Sequence, residues 1–273
     1  MISSLVLPLI LLLPIVSGYN YCNNKTHKCV LEQSEHFMCQ LHKFSPLGGY
    51  TRYYETVPDT PLLQNKILGI LNKFRNRFAS GELWTNENRT FAKAKRMRRL
   101  IWDNELGYMA RAHASTVSFK HSECRATSRF PYVGEVLGMI VPKRHPKPDL
   151  HDLLHKMFNK MFDEYQIVHD PEGLLQGFHP VRDYHCAHFT NIISDRVSRV
   201  GCGVAVGKNC RHGSHTNFCT FLTCHFDFTN LNGSYVYKAG EPGNCEDWNT
   251  SNSNKLTSLC QNNGELFPPD HGD

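Results

Sequence analysis

Apolar residues recur along this chain first at helical and then at strand-like spacing. Leu63, Ile67, Ile70, Leu71, Phe74 and Phe78 fall on one face at helical spacing, which predicts one amphipathic helix from Pro61 to Ala79. Gly81 is a natural stop. A second helix is predicted from about Asp103 through Leu106, Met109, Ala110 and Ala112. A third opens at Asp149, a good N-cap, and carries Leu150, Leu153, Leu154, Met157, Phe158, Met161, Phe162 and Tyr165. After a stretch containing Gly and Pro the pattern changes period. Phe189–Ser194, Arg199–Gly207 and Phe218–Phe228 are rich in Val, Ile, Phe and Thr and read as three strands. Helices first and strands later give the α+β class, with helices packed on a mainly antiparallel sheet.

The segments around this body differ from it. Leu5 to Val16 is apolar and uncharged, shorter than the ~20 residues of a membrane span, and reads as the core of a cleavable signal peptide over residues 1–18. Cleavage after Gly18 would leave Tyr19 as the terminus. Residues 19–60 hold three cysteines and few periodic apolar positions, and read as a loop-rich segment held by disulfides. Val141–Pro148 contains three prolines and reads as a loop. Residues 61–240 form the expected main domain, and 241–273 an Asn/Ser-rich tail closed by Cys245 and Cys260. No later run spans a bilayer, so the mature chain is expected to be extracellular, not transmembrane, and monomeric.

The formal charge of +5 is mild. The densest basic run, Lys93, Lys95, Arg96, Arg98 and Arg99, is interrupted by Met97 and leads into a helix. It reads as a solvated connector, and nucleic acid is not an expected partner. The eleven cysteines show no CxxC pair and no zinc-finger spacing, so disulfides are the default in a secreted chain. The odd count leaves at least one thiol free or paired between chains. Sequons at Asn24, Asn88, Asn232 and Asn249 sit in polar, loop-like stretches and are candidate glycosylation sites.

A few residues stand out chemically. Glu164 falls on the apolar stripe of the third helix, where a carboxylate either snorkels at a helix end or lines a cleft. Glu135 is flanked by Gly134 and Gly138, a tight backbone path that either projects it into a pocket or forms an ordinary loop. His188 stands at the mouth of the first predicted strand, as a base, a ligand or a structural residue. His151 and His155 repeat the i, i+4 spacing of a zincin helix, but Asp152 replaces the Glu that would act as base, and both flank the polar side. No G-x-S-x-G, P-loop or G-x-G-x-x-G motif occurs.

Ala187-His188-Phe189-Thr190-Asn191-Ile192-Ile193, Arg199-Val200-Gly201-Cys202-Gly203 and Phe221-Leu222-Thr223-Cys224-His225-Phe226 resemble the signature stretches of the CAP superfamily, the cysteine-rich secretory, antigen 5 and pathogenesis-related proteins. Leu71–Arg75, Trp102–Leu106, His121–Arg125, Gly134-Glu135 and Phe162–Tyr165 match in the same chain order. The N-terminal Cys22, Cys29 and Cys39 resemble the arthropod antigen 5 branch, and the Cys245…Cys260 tail its insect members. The resemblance implies an α-β-α sandwich, a central antiparallel sheet covered by helices on both faces. It implies a cleft of two His and two acids that binds a divalent metal in some members. The matching positions are Leu71, Glu135, Glu164 and His188, with Leu71 replacing the first His. A metal is therefore not expected. Asn191 and Ser194 also depart from the family's usual residues near His188.

By the same resemblance the bridges are Cys22–Cys39, Cys29–Cys124, Cys202–Cys224 and Cys245–Cys260. Cys210–Cys219 is the nearest-neighbour pairing among the rest and leaves Cys186 over. Val117 occupies the helix position of a further family bridge, whose N-terminal half is missing too. The expected function is a non-enzymatic binding protein for a lipid, sterol or other small amphipathic ligand, or for an extracellular protein target. A channel between the first and third helices would suit a lipid. The alternatives are a weak hydrolase using His188 with Glu135 or Glu164, and a venom or salivary toxin or immune modulator.

Overall fold

The computed structural model describes residues 20–22, 29, 33–142, 149–212 and 215–267. The leader, the sequon at Asn24 and most of the Pro-rich loop lie outside the described residues. No helix among those described is long and apolar enough to cross a membrane.

Among the described residues, five strands form one sheet: β1 (Arg52–Thr56), β2 (Ile101–Trp102), β3 (Gly134–Ile140), β4 (Arg199–His212) and β5 (His215–Phe226). Their order is β1-β4-β5-β3, with the short β2 running parallel on β4. The β4–β5 hairpin is the centre, and the bridged Cys202 and Cys224 face each other across it. β3 adds antiparallel to β5, from Gly134 opposite Phe226 to Ile140 opposite Thr220.

Among the described residues, five helices are named with the sheet: α1 (Pro61–Ala79), α2 (Asn104–Ser115), α3 (Leu150–Phe162), the single turn α4 (Gly173–Gln176) and α5 (Ala187–Ile193). α1 starts where Thr60 caps the Leu63 N–H and Pro61 takes the first helical position. α2 starts at Asp103, whose carboxylate accepts from the N–H groups of Glu105 and Leu106.

Side chains alternate across β4, and the two faces receive different layers. Val200, Cys202 and Val204 join the main core with Leu71 of α1, Met157 and Phe158 of α3 and Ile192 of α5. Gly201 and Gly203, between them, meet α2. A Cβ at Gly201 would stand 2.0 Å from the Gly107 nitrogen, and one at Gly203 2.3 Å from the Arg111 Cα. Only glycine lets the helix backbone lie this close to the strand. The result is the α-β-α sandwich.

The structure revises several expectations. Phe189–Ser194 is not a strand; it falls in α5 and the residue that ends it. A short buried apolar run carries no period that separates helix from strand. Two side chains from elsewhere hold the helical form. The Glu164 carboxylate accepts the N–H groups of His188 and Phe189 at the helix start. The buried Arg75 guanidinium donates to the carbonyls of Ile192 and Ser194 at its end. The third helix stops at Phe162, and Glu164 lies in the 3-10 turn Asp163–Ile167 instead of on the α-helical stripe. The stretch read as a glycine-flanked path around Glu135 is β3, and Arg52–Thr56 in the loop-rich segment is β1. Gly138 weakens the strand signal of β3 but admits the Met157 and Met161 side chains, which a Cβ there would meet at 2.9–3.3 Å.

All five expected disulfides are present. Cys186 is the free cysteine and is buried. Asn88, Asn232 and Asn249 are exposed.

Gly203→Ala should force α2 off the sheet. The expected cost is at least about 2 kcal/mol of unfolding free energy by urea titration, in the range of overpacking changes. An unchanged midpoint would show that the close approach is not required.

Candidate functional site: two imidazole–carboxylate clusters

Glu135 points from β3 into the interior and is the hub of the first cluster. Its Oε2 accepts from His113 Nδ1 at 2.7 Å, His225 Nε2 at 2.9 Å and Ser122 Oγ at 3.0 Å. Its Oε1 accepts from His121 Nδ1 at 2.8 Å and the Ser122 N–H at 2.9 Å. His113 comes from α2, His225 from β5, and His121 and Ser122 from the loop before β3. Burial alone would raise this carboxyl's pKa. The bonds from His113, His121 and His225, with the nearby Arg125 charge, outweigh it and hold Glu135 well below the usual carboxylate range.

His113 and His225 are fully buried. Their rings pack on the N-terminal segment, His113 at 4.8 Å from Phe44 and His225 at 5.6 Å from Phe37. Burial pushes the His225 imidazole down to about 4, against the pull of Glu135. The His225 ring is therefore a neutral donor to this carboxylate.

The second cluster is smaller. His188, at the start of α5, donates from Nδ1 to Glu164 Oε1 at 2.6 Å, while Glu164 Oε2 accepts the two helix N–H groups. The His188 side chain is 32% exposed, and that of His121 57%. In each, Nδ1 faces the carboxylate, which fixes the ring's orientation and turns Nε2 away from it.

Of the expected cleft residues, Glu164 and His188 are in direct contact, and Glu135 belongs to the neighbouring cluster. A Cβ on Gly134, the residue before Glu135, would stand 2.5 Å from Asn191 Oδ1 on α5. Leu71 belongs to neither cluster. It is fully buried in the apolar core, so its identity says nothing about the imidazole supply. The imidazoles beside Glu135 are His113, His121 and His225, and sequence reasoning gave none of them a role. Two of them lay inside matched motifs, His121-Ser122 and Cys224-His225, and that was the available signal.

The donor atoms of His113, Glu135 and His225 lie within 4.8 Å of one another. They do not fit a cation as arranged, because the nitrogens facing Glu135 carry its hydrogen-bonding protons. His151 and His155 meet edge-on at 4.4 Å on α3, and no third ligating residue joins them among those described.

A cavity of about 390 Å3 opens between the N-terminal segment and the loop carrying His121. Phe37, Phe44, Leu47 and Phe119 give it apolar walls, and Lys43, Lys120 and His121 polar ones. Between the first and third helices Phe74 stacks on Phe162 at 4.3 Å.

A protein-family model described as the cysteine-rich secretory protein family, CAP, matches residues 68–226. Venom allergen-1 of Aedes albopictus is 28% identical over 244 residues, covering 88% of this chain and 87% of the relative. The antigen 5 like allergen Cul n 1 of Culicoides nubeculosus is 28% identical over 203 residues, covering 69% and 84%. The solved structure of BmVAL-1 superposes with a TM-score of 0.61 at 22% identity, covering 74% of this chain and 95% of that one. The chain belongs to the CAP family, on its antigen 5-like branch.

Acid should weaken this cluster. The folded pKa of His225 lies below the ordinary 6.5, so the unfolded chain binds its proton first as pH falls. Stability is full above about 6.5 and declines as pH falls to about 4, by about 3 kcal/mol from this group. Glu135, also depressed, adds a loss at the acid end. Urea unfolding at pH 7 and pH 4.5 should show the decline, and His225→Gln should lessen it. Equal declines in both proteins would remove His225 as the cause.

Cys186 should be inert. Burial, and then the Asp183 and Glu164 charges, push its thiol up to about 12. Folded protein is expected to resist a maleimide that labels one thiol in urea, and to run as a monomer without reductant. Rapid labelling of the folded chain would contradict this.

Proposed function

We propose that this chain is a secreted, non-enzymatic binding protein that takes a small amphipathic ligand in the cavity between its N-terminal segment and the His121 loop, and that it acts outside the cell as a modulator. The observation that carries the reading is the cavity itself. Its 390 Å3 lies in the ordinary range of small-molecule sites, ~300–1,000 Å3, and apolar rings share its wall with charged and polar groups. The disulfides favour an oxidising compartment, and the allergen names of its relatives favour release in saliva or venom.

The arrangement around the histidines favours binding over catalysis. Glu164 is committed to the start of α5 and Glu135 to five donors. The hydroxyl beside Glu135, Ser122 Oγ, is buried and donates to that carboxylate. A hydrolytic nucleophile would have to be free to attack. His121 and His188 would offer a divalent ion one nitrogen each, fewer donors than a tight zinc site needs. The expectation that the protein carries no resident metal therefore rests on this donor set and not on Leu71.

Affinity-selection mass spectrometry of the purified chain against fatty acids, sterols and amphipathic amines should recover a ligand at micromolar affinity. Ser45→Trp, placing an indole at the cavity wall, should weaken that binding at least tenfold. No ligand, or one indifferent to Ser45→Trp, would sink the proposal. Turnover of an ester or peptide panel by wild type and not by His188→Ala would make the chain a hydrolase instead.

A further inference from the structure

β1 is one edge of the sheet, and it exposes two aromatic side chains beside a cation. Tyr53 and Tyr54 are 48% and 51% exposed. They straddle the strand. The Tyr53 hydroxyl bonds Thr56 Oγ1, which bonds Ser115 of α2, so Tyr53 lies on the α2 side. Tyr54 packs edge-on at 5.1 Å against Phe218 of β5, with the Lys208 ammonium 5.8 Å from its ring. The cause is local. The β1–β4 register shifts between Tyr53 and Glu55, so Tyr54 is the extra, unpaired residue of a bulge.

The exposed charge here is positive, and Glu55, the one acid of β1, is half-buried. Arg52 pairs in register with Lys208, and both are exposed. Residues 199–226, the whole of the central hairpin, contain no Asp or Glu. Among the described residues neither Arg52 nor Lys208 forms an ion pair with a carboxylate.

We infer that this edge docks on a lipid bilayer surface bearing anionic headgroups. Two features select a membrane over another strand or a second copy of the chain. The bulge and the cations are devices that prevent edge-to-edge pairing. Aromatic rings on both sides of one strand suit a fluid interface that can close around the edge, where tyrosine's apolar ring and polar hydroxyl both find their level. Arg52 and Lys208 supply attraction to the headgroups. The surface is distinct from the cavity of the proposed function, and either reading can fail alone.

The test is sedimentation of the full chain with vesicles at about 0.1 M salt, where the Debye length is about 10 Å. Phosphatidylcholine vesicles containing phosphatidylserine should carry the protein down, and pure phosphatidylcholine vesicles should not. Arg52→Gln with Lys208→Gln should lower partitioning about thirtyfold, two cations' worth at an anionic surface. Tyr54→Ser should lower it severalfold at constant charge, and decides the matter if the double variant does not fold. Soluble phosphoserine should not compete. Sedimentation equal on neutral vesicles, no sedimentation, or retention on heparin without vesicle binding would each overturn the inference.

Discussion

A carboxylate taken out of water must recover its donors from the protein or give up its charge. Glu135 recovers five, and this requirement organises one side of the molecule. The donors are far apart in sequence: His113 lies 22 residues before it and His225 90 residues after. They meet only when α2, the loop before β3, and β5 are all in place. Gly201 and Gly203 let α2 come close enough for His113 to reach. The rings of His113 and His225 then give the N-terminal segment an aromatic floor for Phe37 and Phe44, and the Cys22–Cys39 and Cys29–Cys124 bridges tie that segment down. The cavity beside His121 exists because this cover and this cluster meet there.

The other face depends on a buried cation. Arg75 of α1 makes five hydrogen bonds to four carbonyls, those of Arg98, Ile192, Ser194 and Val197. Burial lowers its pKa to about 9, so it stays charged at neutral pH. It closes the end of α5 while Glu164 closes the beginning. A seven-residue helix too short to stand alone is thus held at both termini by charged side chains from other elements. His188 is oriented as a consequence, since the carboxylate that caps the helix also fixes its imidazole.

The long helices were legible in the sequence because apolar spacing and the Asp149 cap are local signals. The hairpin strands were legible from their Val, Ile, Phe and Thr content. Four disulfide pairings came from the family resemblance, and Cys210–Cys219 from nearness in sequence. The misread elements were those whose conformation is imposed from outside. Phe189–Ile193 is helical through Glu164 and Arg75, and β3 is a strand despite its glycines because Met157, Met161 and Asn191 need the space. Leu71 shows how a position taken from resemblance alone can mislead. Its place in the apolar stripe already marked it as core, and the core is where it lies.

By itself, then, the sequence determined what local interactions and covalent chemistry decide: where the long helices begin, which cysteines are present to be bridged, and that the sheet would be antiparallel and buried. Tertiary structure alone decided which histidines surround Glu135, that Cys186 is sealed, and that two neighbouring tyrosines emerge on opposite sides of one edge strand. Each of these turns on contacts across tens of residues or on a single bulge. Neither leaves a periodic trace, because burial and hydrogen-bond satisfaction are settled only when the layers close.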